Sequence, residues 1–154
     1  MLRKIVAFAQ DEVGDWKAEL DCGHYQHTRH QPPFFPCPWV ITEEGRQEHL
    51  GEQLDCLRCD QQEIPDNFTA YKQTPIFNQQ TIPDGLKANH STKTGIWGII
   101  RVFQGKLIYR IAEPFNSEEI IQTNQTGIVI PEVSHSVTPF ANTQFLVEFW
   151  QKKH

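Results

Sequence analysis

The chain has 154 residues, 38% of them hydrophobic and 21% charged, which is enough for one ordinary domain or two small ones and excludes a disordered tail. A net charge of -5 argues against nucleic acid as a partner, because phosphate neutralisation needs a positive face. The longest apolar runs, around Ile128 and Phe145, fall far short of the roughly 18 residues that span a bilayer, and the first fifteen residues lack a secretory pattern. A soluble, cytoplasmic protein with no membrane partner is expected.

In chain order, Lys4 to Ala9 and Trp16 to Leu20 read as a hairpin over the turn residues 11 to 15, and Trp39 to Ile41 as a third strand. Between and after them lie Cys22-Gly-His24 and Cys56-Leu-Arg-Cys59, two knuckles that each present two soft or borderline ligands from one tight turn. In a reducing compartment cysteines are poor disulfide candidates and good metal ligands. A structural zinc held by Cys22, His24, Cys56 and Cys59 is the expected cofactor of a zinc-ribbon-like β module. Its binding energy of roughly 10 to 16 kcal/mol would dominate a core worth only ~3 to 5 kcal/mol. Cys37 is an alternative to His24, which the uninterrupted C-x-H knuckle favours. His27, Arg29 and His30 read as a polar loop beside a Pro and Phe-rich segment, and His49 as a solvated turn residue.

The polar stretch after Cys59, with Pro65, reads as a linker and divides the chain into residues 1–65 and 66–154. The first part holds six Lys and Arg against twelve Asp and Glu; the second holds eight against seven. All the excess acidity belongs to the first part.

The second part alternates with period two. Trp97 to Phe103 and Lys106 to Ala112 flank Gln104-Gly105 and read as a hairpin, with Ile100, Val102, Leu107, Tyr109 and Ile111 on a core face and Trp97, Arg101, Lys106 and Arg110 on a wet one. Short strands are predicted at Glu119 to Gln122, Gly127 to Ile130, His135 to Pro139 and Gln144 to Trp150. Together these predict a mainly β fold, a small sandwich or barrel.

Several of these segments carry a resemblance. His90-Ser-Thr-Lys93 before Gly95-Ile-Trp97-Gly98, the Gly105 turn and Pro131-x-x-x-His135 make residues 68 to 152 similar to the TehB/YeaR-like cupins, a family linked by name to tellurite resistance. The first part, with its CGH-x-QH-x-RH-x-PPF core and closing C-x-x-C, resembles a small bacterial family of unknown function. The cupin resemblance implies a C-terminal double-stranded β-helix barrel whose mouth can hold a metal, with His90 and His135 at the two motif histidines. The chain departs from the superfamily pattern, since Thr92 stands two residues after His90 and no glutamate lies between His90 and Gly105.

Glu148 interrupts the apolar run Phe145 to Trp150, where an ionised side chain without a partner is costly. A metal would supply that partner. His90, His135 and Glu148 would then form a two-histidine, one-carboxylate site for Zn or Fe. Lys93 is a candidate to orient an anionic ligand and Trp97 a candidate aromatic wall. Three readings follow: a metal-binding cupin that takes a small molecule or oxyanion in stress resistance or sensing; a mononuclear metal oxygenase or isomerase; and an adaptor working through the zinc module. Exposed strand edges favour a homodimer.

Overall fold

Alternation in the first nine-residue strand sets the layout of the N-terminal part. In the computed structural model, which describes residues 1–28 and 38–154, β1 (Leu2–Gln10) buries Arg3 and Ile5 and exposes Leu2, Lys4 and Val6. It pairs antiparallel with β2 (Trp16–Leu20), and the connecting turn is held by Asp11, whose carboxylate accepts from the amides of Val13 and Asp15 at 2.9 Å. β3 (Tyr25–His27) extends the sheet beyond β2, and β4 (Gln53–Asp55) closes its other side, giving the order β3-β2-β1-β4.

Trp39 to Ile41 is not the expected strand. It belongs to a 3-10 turn, Pro38–Ile41, that feeds α1 (Glu43–His49). The reason is local: Thr42 caps α1, its hydroxyl accepting from Gly45 N–H at 3.0 Å, and its own N–H and hydroxyl both donate back to Trp39 O at 3.4 Å, which closes the preceding residues into a turn. His49 is likewise not merely solvated. Its ring stacks on Trp39 with centroids 3.7 Å apart, and it pairs with Glu52. A short α2 (Leu57–Asp60) follows β4.

The chain separates into two compact units, Met1–Gln61 and Gln62–His154. In the second, β5 (Phe68–Gln73) and a short α3 (Asp84–Lys87) precede β6 (Trp97–Gln104), β7 (Lys106–Ile111), β8 (Ser117–Gln122), β9 (Thr126–Val129), β10 (His135–Pro139) and β11 (Gln144–Lys152). The fold is mainly β, as expected. Two antiparallel sheets form, ordered β5-β11-β6-β9 and β10-β7-β8.

β6 and β7 do not make the expected hairpin. Each already has neighbours on both sides, β11 and β9 for β6, β10 and β8 for β7, so the chain crosses from one sheet to the other at Gly105. That corner needs a positive φ, which Gly105 supplies at 75°. It also needs clearance, because the Thr143 hydroxyl donates to Lys106 O at 2.7 Å and accepts from Lys106 N–H at 3.2 Å directly against the glycine.

The core half of the face assignment holds across this corner, since Ile100, Val102, Leu107, Tyr109 and Ile111 are all buried, but Trp97, expected on the wet face, is fully buried as well. Tyr109 ties the two sheets together by donating its hydroxyl to Ile128 O on β9 at 2.7 Å. Burial raises its phenol well above the usual range, so it stays a neutral donor. No helix among the described residues is long and apolar enough to cross a membrane.

Candidate metal centre and ligand cavity

Four buried donors converge in the first unit. The turn after β2 is closed by Leu20 N–H donating to His24 O at 2.9 Å, with Gly23 between the knuckle residues, and it presents Cys22 and His24 inward. Opposite them Cys56 stands at the N-cap of α2 and Cys59 within it. One ligand atom from each of the four lies within 4.8 Å of all the others.

The distances decide what this cluster can do. His24 Nδ1 is 3.4 Å from Cys22 Sγ, 3.3 Å from Cys56 Sγ and 3.7 Å from Cys59 Sγ, and the sulfurs of Cys22 and Cys56 are 3.9 Å apart. A disulfide needs about 2.05 Å. A tetrahedral zinc with its usual bond lengths sets edges of about 3.8 Å between sulfurs and about 3.6 Å between sulfur and nitrogen. The observed set fits the tetrahedron, so this cluster could hold a metal ion. Crowding three thiols without a cation concentrates the charge on one of them. Hydrogen bonds from Cys22 and then Cys59 hold Cys56 far below the ordinary thiol range, while donation to Cys56 pushes Cys22 far above it. A divalent ion would allow all three to ionise.

Arg3 is the residue that the sequence reading missed. It is buried in β1 with its guanidinium 3.9 Å from Asp21, and its positive charge favours the Cys59 thiolate. The net shift at Cys59 is upward, to about 11: a hydrogen bond with Cys22 lowers it, but hydrogen bonding to Cys56 and burial outweigh that and the pull of Arg3. A sequence signal existed, since Arg3 alternates with Ile5 and so shares its inward face. His27 stands apart from the cluster, half-exposed and 3.3 Å from Asp11. Arg29, His30 and Cys37 lie outside the described residues.

In the second unit His90 and His135 do come together. Their backbones form a reciprocal bridge, at 2.9 and 2.7 Å, and their rings meet edge to face with centroids 5.4 Å apart. Both border a cavity of about 190 Å³. His90 stands exposed at its rim, whereas His135 is only 4% exposed, with the Tyr109 ring against its other side. Phe77, Leu86, Val129, Val147 and Phe149 make the walls, with Thr74 and Thr92 as the further polar side chains.

Burial drives the His135 imidazole down to about 4, against the pull of a hydrogen bond with Val133 O, and the nearby His90 adds to the fall. A folded-state value below the ordinary 6.5 means that this histidine's stabilising contribution is complete above pH 6.5 and is lost as the pH falls toward 4. Unfolding of residues 62–154 in urea should therefore lose roughly 3 kcal/mol across that window on account of His135. The same titration on His135→Gln should lack this component; an unchanged pH profile would exclude it.

Three expected members of this site are elsewhere. Val147 and Phe149 face the cavity, so Glu148 between them faces the other way. The partner its charge requires is Arg101, whose Nε donates to it at 3.0 Å, and Trp150 Nε1 donates at 3.2 Å. No carboxylate borders the cavity among the described residues. Trp97 is fully buried on the face of β6 opposite Gly98, which shares its face with cavity-lining Val129 and Phe149, so it offers no wall. Lys93 does not line this cavity; it is exposed in an adjoining open depression with Ser91, Thr92, Thr94 and Glu132, where both signs of charge are present and which shares Thr92 with the cavity.

Comparison with known proteins finds separate matches in the two parts of the chain. Residues 6–63 match the family described as Protein of unknown function (DUF3565), and residues 72–147 match the TehB-like domain. Over 83 residues the chain is 30% identical to the Haemophilus influenzae protein named "Probable S-adenosyl-L-methionine-dependent methyltransferase TehB", covering 54% of this chain and 24% of that one. It is 28% identical over 98 residues to YeaR of Escherichia coli, an uncharacterised protein, covering 57% of this chain and 82% of YeaR. The chain thus spans about a quarter of TehB and most of YeaR. A crystal structure of an Escherichia coli protein superposes with a TM-score of 0.54 at 25% identity, covering 60% of this chain and 98% of that one. Two halves with separate relatives and separate candidate sites thus make up this chain, which joins a TehB/YeaR-like domain to an N-terminal DUF3565 module.

Proposed function

We propose that the protein is a small-molecule-binding protein of the sensing type, in which the first unit is folded around one structural zinc and the TehB/YeaR-like domain takes a neutral ligand in the cavity beside His135. The observation that carries the ligand reading is an apolar cavity of about 190 Å³ with a buried, uncharged imidazole in its wall. The tetrahedral edges of Cys22, His24, Cys56 and Cys59 support the zinc. An oxyanion is a poorer occupant, because among the described residues neither lysine nor arginine borders the cavity.

A barrel metal remains the second reading, favoured by the adjacent imidazoles of His90 and His135. It has two protein ligands where the oxygenase or isomerase reading asked for three, and Glu148 is engaged by Arg101 instead. Methyl transfer, the activity in the name of the TehB relative, has weak support, since this chain corresponds to about a quarter of that protein.

Elemental analysis of the purified chain separates these readings. One zinc per chain is expected, retained in His90→Ala and His135→Ala and lost in Cys59→Ser. A second metal that disappears with His135→Ala would replace the neutral-ligand reading by the barrel-metal one.

A further inference from the structure

We propose that the cavity beside His135 selects a neutral aromatic ring of benzene size that carries one hydrogen-bond donor, as in a simple phenol, and that the donor is given to His135 Nε2. This rests on the ligand-binding reading of the second unit and adds the chemical class of the ligand.

Size comes first. A dry apolar cavity of about 150 Å³ is enough for benzene. The 190 Å³ here leaves space for a ring and one or two further heavy atoms. Phe77 and Phe149, with Leu86 and two valines, offer the ring edges and methyl groups rather than charge.

The polar side chains below the rim then set the hydrogen-bond sense. Thr74 donates its hydroxyl proton to Pro75 O at 2.8 Å and already accepts from Val147 N–H at 3.1 Å. Thr92 donates to Ile96 O at 2.7 Å. His135 Nδ1 faces Val133 O at 3.4 Å, and a carbonyl only accepts, so the imidazole proton sits on Nδ1. Every one of these side-chain protons is engaged within the protein. What these side chains leave to a ligand is lone pairs, while His90 keeps an N–H at the exposed rim; among the described residues His135 Nε2 meets no hydrogen-bonding partner.

A carboxylate or phosphate would bring further lone pairs to that surface and, among the described residues, find neither lysine nor arginine there. A purely apolar ring would fill the space and leave Nε2 desolvated and unanswered, which weakens binding by about tenfold or more. A ring with a single O–H or N–H satisfies both the walls and the imidazole.

The test is a titration of the full, zinc-loaded, ¹⁵N-labelled chain with phenol, anisole, toluene and benzoate at pH 7.5. Phenol is expected to shift the amides of Val129, Val147 and Phe149 and the His135 Nε2 resonance together, anisole and toluene to bind about tenfold or more weakly, and benzoate to leave the cavity unperturbed. Equal affinity for phenol and anisole, or a phenol-bound state with Nε2 unshifted, overturns the donor assignment while the ligand-binding reading stands. Failure of phenol, anisole and toluene alike to reach the cavity overturns that underlying reading as well. His135→Gln, which keeps an acceptor, should retain the preference for phenol, and His135→Leu should abolish it. Because the Nε2 shift is read in the unaltered protein, the outcome does not depend on either variant folding.

Discussion

Cys56→Ser should release the metal from the first unit and unfold residues 1–61, leaving the amide dispersion of residues 62–154 intact. The expectation follows from the size of the unit. A core of this scale contributes about 3 to 5 kcal/mol, while a structural zinc adds roughly 10 to 16 kcal/mol of apparent binding energy that appears as folding energy. Cys56 is also the hub of the cluster: its sulfur is 3.3 Å from His24 Nδ1 and 3.9 Å from Cys22 Sγ, and its amide donates to Met1 O at 2.7 Å. A serine oxygen keeps the backbone bond and loses the thiolate. Bound zinc by mass spectrometry and a ¹⁵N amide spectrum check both halves of the expectation. A variant that keeps residues 1–61 folded without metal would show that the sheet and Val40, Ile5 and Leu20 suffice by themselves.

Gly105→Ala should destabilise the second unit by about 4 kcal/mol, the sum of a left-handed backbone cost and an overpacked contact. An added Cβ would lie 2.6 Å from Thr143 Oγ1, 2.8 Å from Thr143 Cα and 2.9 Å from Asn142 O, and two of those atoms are backbone with nowhere to swing. Gly51 offers the contrast. Its φ is +89°, yet nothing lies within 4 Å of its Cβ position, so Gly51→Ala should cost only about 1 kcal/mol. Denaturant midpoints for each unit would test the pair, and similar losses at both glycines would mean that the sheet corner is not tightly packed.

The strands of the second unit were legible because they alternate and are separated by turn residues: His135 to Pro139 is predicted with the bounds found, and β6, β7 and β9 within a residue or so. Sheet membership was not legible. Two alternating segments joined by Gln-Gly look the same whether they fold into a hairpin or cross between sheets, and the choice is made by β9, β11 and the Thr143 corner, some 20 to 40 residues away in sequence. The metal cluster could be read because each knuckle is local. Arg3 could not be assigned to it, since its approach to Cys59 depends on how β1 and α2 pack. At Glu148 the argument that a charge needs a partner was sound, and the partner was misidentified. Arg101 is diagonal to it across the β6–β11 ladder, a neighbour visible only with the register in hand.

The position of β11 sets the order in which the molecule can be made. It is the last strand in chain order, yet it lies in the middle of its sheet with β5 on one side and β6 on the other. During synthesis the edges of β5 and β6 that β11 joins therefore stay unpaired until residues 144–152 have left the ribosome, while the four donors of the first unit have emerged some ninety residues earlier. The N-terminal unit, with all four donors of its cluster in hand, can fold while the second is still an open set of strands, and the slow, long-range closure of the β-domain is the step at which a nascent chain is exposed to aggregation.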